Sequence, residues 1–267
     1  MNGYKLNVKE SPKDNRDLVL ITNSDKYPDT LDYRPFLTKV RNQGTQGSCF
    51  AFAVSCMKEF QEQRDYKFEG YMSPQFFYDV RSNLYDDDKN NDEGMFGRDV
   101  MKILTKIGIC TEEEYPYGIE NSKHKDEIDK AIYESAYKHK CISYAKVNSI
   151  KELKRSLYRN GPCLICFPVY NYGPTMWQKE HAEQEMIGGH AMCVVGYTKN
   201  AFIIRNSWGE KWQDDGYCYY PFDQWGSHWE VWTTIDSVTN NKPENDLAIK
   251  NDWVLFVENI DKIVYGI

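Results

Sequence analysis

The chain has 267 residues, of which 41% are hydrophobic and 15% aromatic, enough to bury a sizeable core as one large domain or two lobes sharing a cleft. With 40 Asp and Glu against 33 Lys and Arg the net charge is −7, and no basic cluster marks a phosphate-binding surface, so nucleic acid is excluded as the main partner. The apolar run in the first thirty residues, Leu18-Val19-Leu20-Ile21, is too short for the apolar region of a signal peptide or for a membrane span.

In chain order, residues 1–27 are polar, with a turn at Ser11-Pro12-Lys13-Asp14-Asn15, and predict a strand or two on an extension of about 30 residues. The pattern tightens at Leu31-Asp32-Tyr33-Arg34. From Ser48 to about Arg64, Phe52, Cys56 and Phe60, with Ala53 and Met57 beside them, recur at helical spacing; Ser48 is the N-cap candidate, which puts Cys49 on the first turn. Ser73-Pro74 opens a second helix to about Arg81, and Arg98 to Ile107 reads as a third, stopped by Gly108. Between them the acidic Asp86-Asp87-Asp88 has no glycine at calcium-loop spacing and reads as a solvated loop.

Near residue 140 the period changes. After a helix over Lys151 to Asn160, short apolar runs at Leu164 to Val169, Ala191 to Tyr197, Ala201 to Ile204 and Tyr217 to Tyr220 are separated by Gly, Pro and Asn turns, as in antiparallel sheet. Cys163-x-x-Cys166 lacks a second pair, and a strand would point its two thiols to opposite faces, so both are assigned to core. Most of the eight cysteines sit in such apolar stretches, which predicts reduced thiols and an intracellular reducing compartment. His124, His139, His181 and His228 have no motif around them. The plausible architecture is α+β: a helical lobe over about 31–136, a β lobe over about 137–236, and a C-terminal extension over 237–267 in which Trp253 to Val257 is expected to add a strand or, failing that, to serve as a docking segment.

Three blocks carry the chemistry. Gln43-Gly44-Thr45-Gln46-Gly47-Ser48-Cys49 sets a thiol at a helix start, where the dipole and unfilled N–H groups favour a thiolate. Gly189-His190-Ala191 supplies a base, and Asn206 in Asn206-Ser207-Trp208-Gly209 a neutral side-chain carbonyl to hold one ring nitrogen. The Cys49 N–H and the Gln43 side-chain amide are the natural donors for a tetrahedral oxyanion.

These blocks, with Val195-Gly196-Tyr197, Trp212 and Asp215-Gly216-Tyr217 following them, resemble those of the papain-like cysteine peptidases over about residues 31–236. The resemblance implies a two-lobe fold with a barrel-like β lobe, and a thiol endopeptidase of polypeptide substrates that needs no metal or organic cofactor. It implies Cys49 as nucleophile, His190 as acid/base, Asn206 as orienter, Gln43 as oxyanion donor and Trp208 as shield of the His190 to Asn206 bond. Gly94, Met95 and Phe96 are expected on one cleft wall and Gly189 on the other. Gln46 stands where most secreted members have a bridged cysteine, Phe50 replaces the usual Trp, and no long prodomain precedes Leu31, so the chain is closer to the disulfide-poor bacterial and viral branch. A monomer is expected, without a membrane partner, cytoplasmic or packaged in a virion if viral. Transpeptidation, isopeptide cleavage and a noncatalytic peptide-binding role stand as alternatives on the same fold. The segment before residue 27 either lies in the cleft and restrains activity or packs as a strand on the β lobe.

Overall fold

The computed structural model describes residues 3–21, 26–83 and 94–236; the acidic run at Asp86 to Asp88 and the predicted strand at Trp253 to Val257 lie outside them. In chain order the elements are β1 (Leu31–Asp32), α1 (Cys49–Tyr66), α2 (Pro74–Asp79), α3 (Gly97–Lys106), α4 (Lys130–Lys138), β2 (Ser143–Lys146) and α5 (Ile150–Asn160). There follow β3 (Cys163–Val169), β4 (Gly188–Tyr197), β5 (Ala201–Arg205), β6 (Tyr217–Pro221) and β7 (Glu230–Ile235).

The helix starts follow the sequence chemistry in part. Ser73 caps α2 by accepting from the Phe76 N–H with Pro74 at the first position, and Ser149 caps α5 by accepting from Glu152. Gly108, with φ +88°, stands just beyond Ile107, the C-cap of α3, as the helix-stop reading predicts. Ser48 precedes α1 but makes no side-chain cap; its hydroxyl binds Tyr117 instead. α4 escaped the sequence reading; of its residues only Ala136 is buried, with Ile132 and Tyr133 packed against the core.

All the strand pairings are antiparallel, in the order β2-β7-β3-β4-β5-β6, with β1 on the far end of β4. Among the described residues the outer strands β2 and β6 do not pair, so the sheet is open and the expected barrel-like closure is corrected: the α+β class stands, the barrel does not. The sheet's alternation divides two cores. Leu164, Cys166, Ala191, Cys193 and Val195 face α1, α2 and α3, whereas Cys163, Ile165, Phe167, Met192 and Val194 face α5. Cys163 and Cys166 therefore point to opposite faces, and all eight cysteines are free and buried. No helix among the described residues is long and apolar enough to cross a membrane. The N-terminal segment forms isolated bridges at Asn7, Lys9 and Val19 rather than the one or two strands expected of it.

Helix α1 runs between the helical core and the sheet and is buried from Cys49 to Glu62. Its charged and amide residues there are partnered: Lys58 Nζ lies 2.9 Å from Glu62 and 2.5 Å from Asp236, and Gln61 donates to Thr234 at 2.9 Å. Burial pulls the Lys58 pKa down, but the surrounding anions more than reverse it, so the ammonium stays charged. Glu62→Ala leaves that buried charge short of one carboxylate and is predicted to cost about 3 kcal/mol. Urea unfolding should show a lowered midpoint, and an unchanged one would contradict the pairing.

Candidate active site

Cys49 is the first residue of α1 and fully buried. The loop before it is fixed against the asparagine turn: Gln43 N–H donates to Ser207 O at 2.8 Å, and Asn42 bridges Trp208. The Gln43 side chain is oriented from both ends. Its Oε1 accepts from Ser207 Oγ at 2.7 Å and its Nε2 donates to Gln46 O at 2.9 Å. An amide nitrogen carries two hydrogens, so one remains for a substrate oxygen. Tyr117, which sequence reasoning gave no site role, donates to Gln43 O at 2.8 Å and accepts from Ser48 Oγ at 2.7 Å, clamping both ends of the loop.

His190 sits near the start of β4, opposite Phe167 of β3. Its Nε2 is 2.7 Å from Asn206 Oδ1, which also accepts from the Ser207 N–H at 2.7 Å. Two N–H groups converge on that atom, so it is the amide oxygen and the proton of neutral His190 resides on Nε2. Nδ1 is then the basic nitrogen, and it is buried without a hydrogen-bond partner. Trp208 stacks on the imidazole with centroids 4.7 Å apart. Desolvation lowers the His190 pKa from 6.5 to about 4, against an opposing contribution from the Asn206 bond. A cavity of about 20 Å³ is lined by Cys49, Ala191, Asn206 and Ser207, so the helix start, the histidine strand and the asparagine turn meet there.

The N-terminal segment runs through the same place as a strap. Tyr4 stacks on Trp208 with centroids 4.7 Å apart and planes 6° from parallel, extending the ring stack that begins at His190. Val8 N–H donates to Gly189 O at 3.2 Å, Gly189 N–H to Leu6 O at 3.3 Å, and Lys9 N–H to Met95 O at 3.0 Å. The two walls meet the strap at glycines for a steric reason: a Cβ on Gly94 would lie 1.0 Å from Asn7 O, and one on Gly189 2.1 Å from Val8 O. Met95 presents its backbone to the strap while its side chain is buried in the core, and Phe96 is the residue before α3. Further along, Ser11 donates through N–H and Oγ to Glu230, which also accepts from Gly97 N–H and Trp232 Nε1. Arg98 then closes a bidentate pair with Asp17 at 2.6 and 2.7 Å.

Residues 27–235 match the family model described as papain family cysteine protease. The chain belongs to the papain family of cysteine proteases. It is 29% identical over 232 residues to an uncharacterised peptidase C1-like protein of Acanthamoeba polyphaga mimivirus, covering 77% of this chain and 73% of that one. It is 31% identical over 208 residues to mouse cathepsin K, covering 72% of this chain and 59% of cathepsin K. Xylellain, a cysteine protease from Xylella fastidiosa, superposes with a TM-score of 0.76 at 27% identity, over 88% of this chain and 97% of that one. The procathepsin L2 of Tenebrio molitor larval midgut shares the fold at 20% identity and a TM-score of 0.66, over 88% and 79%.

Within this papain-family protease, sequence reasoning missed Glu230, Tyr117 and the strap contacts of Tyr4, Val8 and Ser11. The one available signal for Glu230 was a carboxylate set in the apolar run Trp229-Glu230-Val231-Trp232. The buried histidines set an acid limit on the fold. His228, like His190, is held at about 4, mainly by desolvation and further by Lys146. A depressed histidine binds its proton better unfolded, so the stability it contributes is complete above pH 6.5 and lost as pH falls toward 4. By pH 5 the loss is about 2 kcal/mol per histidine. Urea midpoints of Cys49→Ala should fall between pH 7.5 and 5, and a flat profile would contradict the burial.

Proposed function

We propose that this chain is a cysteine endopeptidase whose own N-terminal segment occupies the substrate cleft until it is displaced or removed. The observation that carries the reading is the strap's use of backbone groups on both cleft walls, Gly189 N–H and C=O and Met95 C=O. An extended polypeptide substrate needs such main-chain partners, and a tethered competitor acts at high effective concentration. Solved neighbours in this fold that are proforms, including the Tenebrio procathepsin, agree with a restraining segment.

The chemistry follows from the hydrogen-bond directions. With Asn206 fixing the proton on Nε2, His190 Nδ1 takes the proton of the Cys49 thiol as the sulfur attacks the scissile carbonyl. The Cys49 N–H and the second hydrogen of Gln43 Nε2 stabilise the oxyanion. His190 returns the proton to the leaving amine, then takes one from the water that hydrolyses the thioester. While the strap covers the site, burial keeps His190 neutral; displacement hydrates the ring and favours a thiolate–imidazolium pair. Eight free, buried cysteines agree with work in a reducing compartment.

Deleting residues 1–9 keeps the Ser11 and Asp17 anchors and should raise kcat/KM on a small peptide substrate at least tenfold, with Cys49→Ala inert in either form. Tyr4→Ala, which removes a ring stack worth about 0.5–1.5 kcal/mol, should give a two- to tenfold rise. Unchanged kinetics in both variants would sink the restraint. Full activity in Cys49→Ala would sink the mechanism.

A further inference from the structure

A second pair of thiols lies one layer below the proposed nucleophile. Cys56 follows Cys49 by two turns on the same side of α1, and Cys193 follows His190 by three residues on β4, facing the helices. Both line the cavity of about 20 Å³ together with Arg41, Glu59 and Arg205. Neither pairs with another cysteine, and the mechanism uses neither.

Charge in this pocket is uneven. Glu59 is committed to Arg41, Thr38 and the Met72 N–H. Arg205 is 6% exposed and donates through Nη2 to Thr38 Oγ1 and Lys39 O, but its Nη1 is buried without an acceptor. Among the described residues it pairs with no carboxylate within 4.0 Å, and an unbalanced guanidinium there favours an anion on the neighbouring sulfur. The neighbouring Cys193, with Arg205 nearby, draws the Cys56 pKa down despite burial. Burial, with Cys56 close by, pushes Cys193 up. Burial also pushes up Cys110, Cys141, Cys163, Cys166 and Cys218. The cavity thus sets two thiols beside an arginine whose Nη1 has no acceptor, a charge that favours a thiolate on Cys56 for attack and leaves Cys193 to resolve.

We propose that Cys56 and Cys193 are a redox-responsive dithiol that closes to a disulfide across the α1–β4 interface on exposure to a hydroperoxide. The Cys56 thiolate attacks one peroxide oxygen, giving a sulfenic acid and, after protonation, one water. The Cys193 sulfur displaces the sulfenic hydroxyl, and the thiol proton leaves with it as a second water. Two thiols are oxidised and one peroxide bond is reduced. Hydrogen peroxide is little larger than the water-sized space beside both sulfurs. The product ties the helix bearing Cys49 to the strand bearing His190, and closes a long loop that raises stability.

The test uses full-length Cys49→Ala, which removes the reactive site thiol and is independent of the restraint reading. After hydrogen peroxide treatment and alkylation, the intact mass should show loss of two hydrogens and two fewer alkylated thiols. Peptide mapping should find Cys56 joined to Cys193, and dithiothreitol should reverse both. Tm should rise by several degrees on oxidation. With Cys193→Ala added, Cys56 should be trapped by dimedone as its sulfenic acid; if that variant does not fold, Cys56→Ala should abolish the cross-link. A protein whose thiols all remain alkylatable, or a disulfide formed from other cysteines, would overturn the proposal.

Discussion

Everything at the site depends on α1 being held inside the protein along most of its length. A helix buried from Cys49 to Glu62 that carries Lys58, Glu59, Gln61 and Glu62 in that stretch cannot turn or slide without unpairing buried polar groups. Its N-terminus is therefore fixed against β4 and the asparagine turn. Glu59 extends this fixing outward through Arg41, two residues before Gln43. The salt bridges of the helix and the position of its first residue are thus one constraint.

The opposite side of the site is fixed differently. His190 is set by strand register with β3, by the Asn206 oxygen, and by a face-to-face stack on Trp208. Tyr4 adds a third ring to that stack, so the strap covers the same aromatic surface that shields the imidazole. The burial that fixes the geometry also holds the histidine uncharged. Tight assembly and electrostatic quiescence are two results of the same desolvation.

Much of this was legible in the sequence where structure is local. The cap at Ser73, the helical spacing through Phe52, Cys56 and Phe60, and the apolar strands each leave a periodic or capping signal. The order of the catalytic blocks was legible because each block is itself a short continuous motif. The strap's place in the cleft was one of two readings the sequence left open, because its main-chain bonds to Gly189 and Met95 carry no signal of their partners. The open sheet depends on β2 and β6 remaining apart, a long-range fact without local signature. Ser48 has the composition of a cap, yet Tyr117, distant in sequence, takes its hydroxyl. The charge imbalance at Arg205 likewise arises only when Cys56, Glu59 and Cys193 are brought together.

The most direct measurement is the rate of labelling by a thiol-directed epoxysuccinyl peptide, followed by intact mass on the full-length chain and on the chain lacking residues 1–9. The account predicts one adduct, absent in Cys49→Ala, that forms slowly on the full-length chain and at least tenfold faster on the truncated one. Equal rates on the two forms, or an adduct that persists in Cys49→Ala, would contradict it.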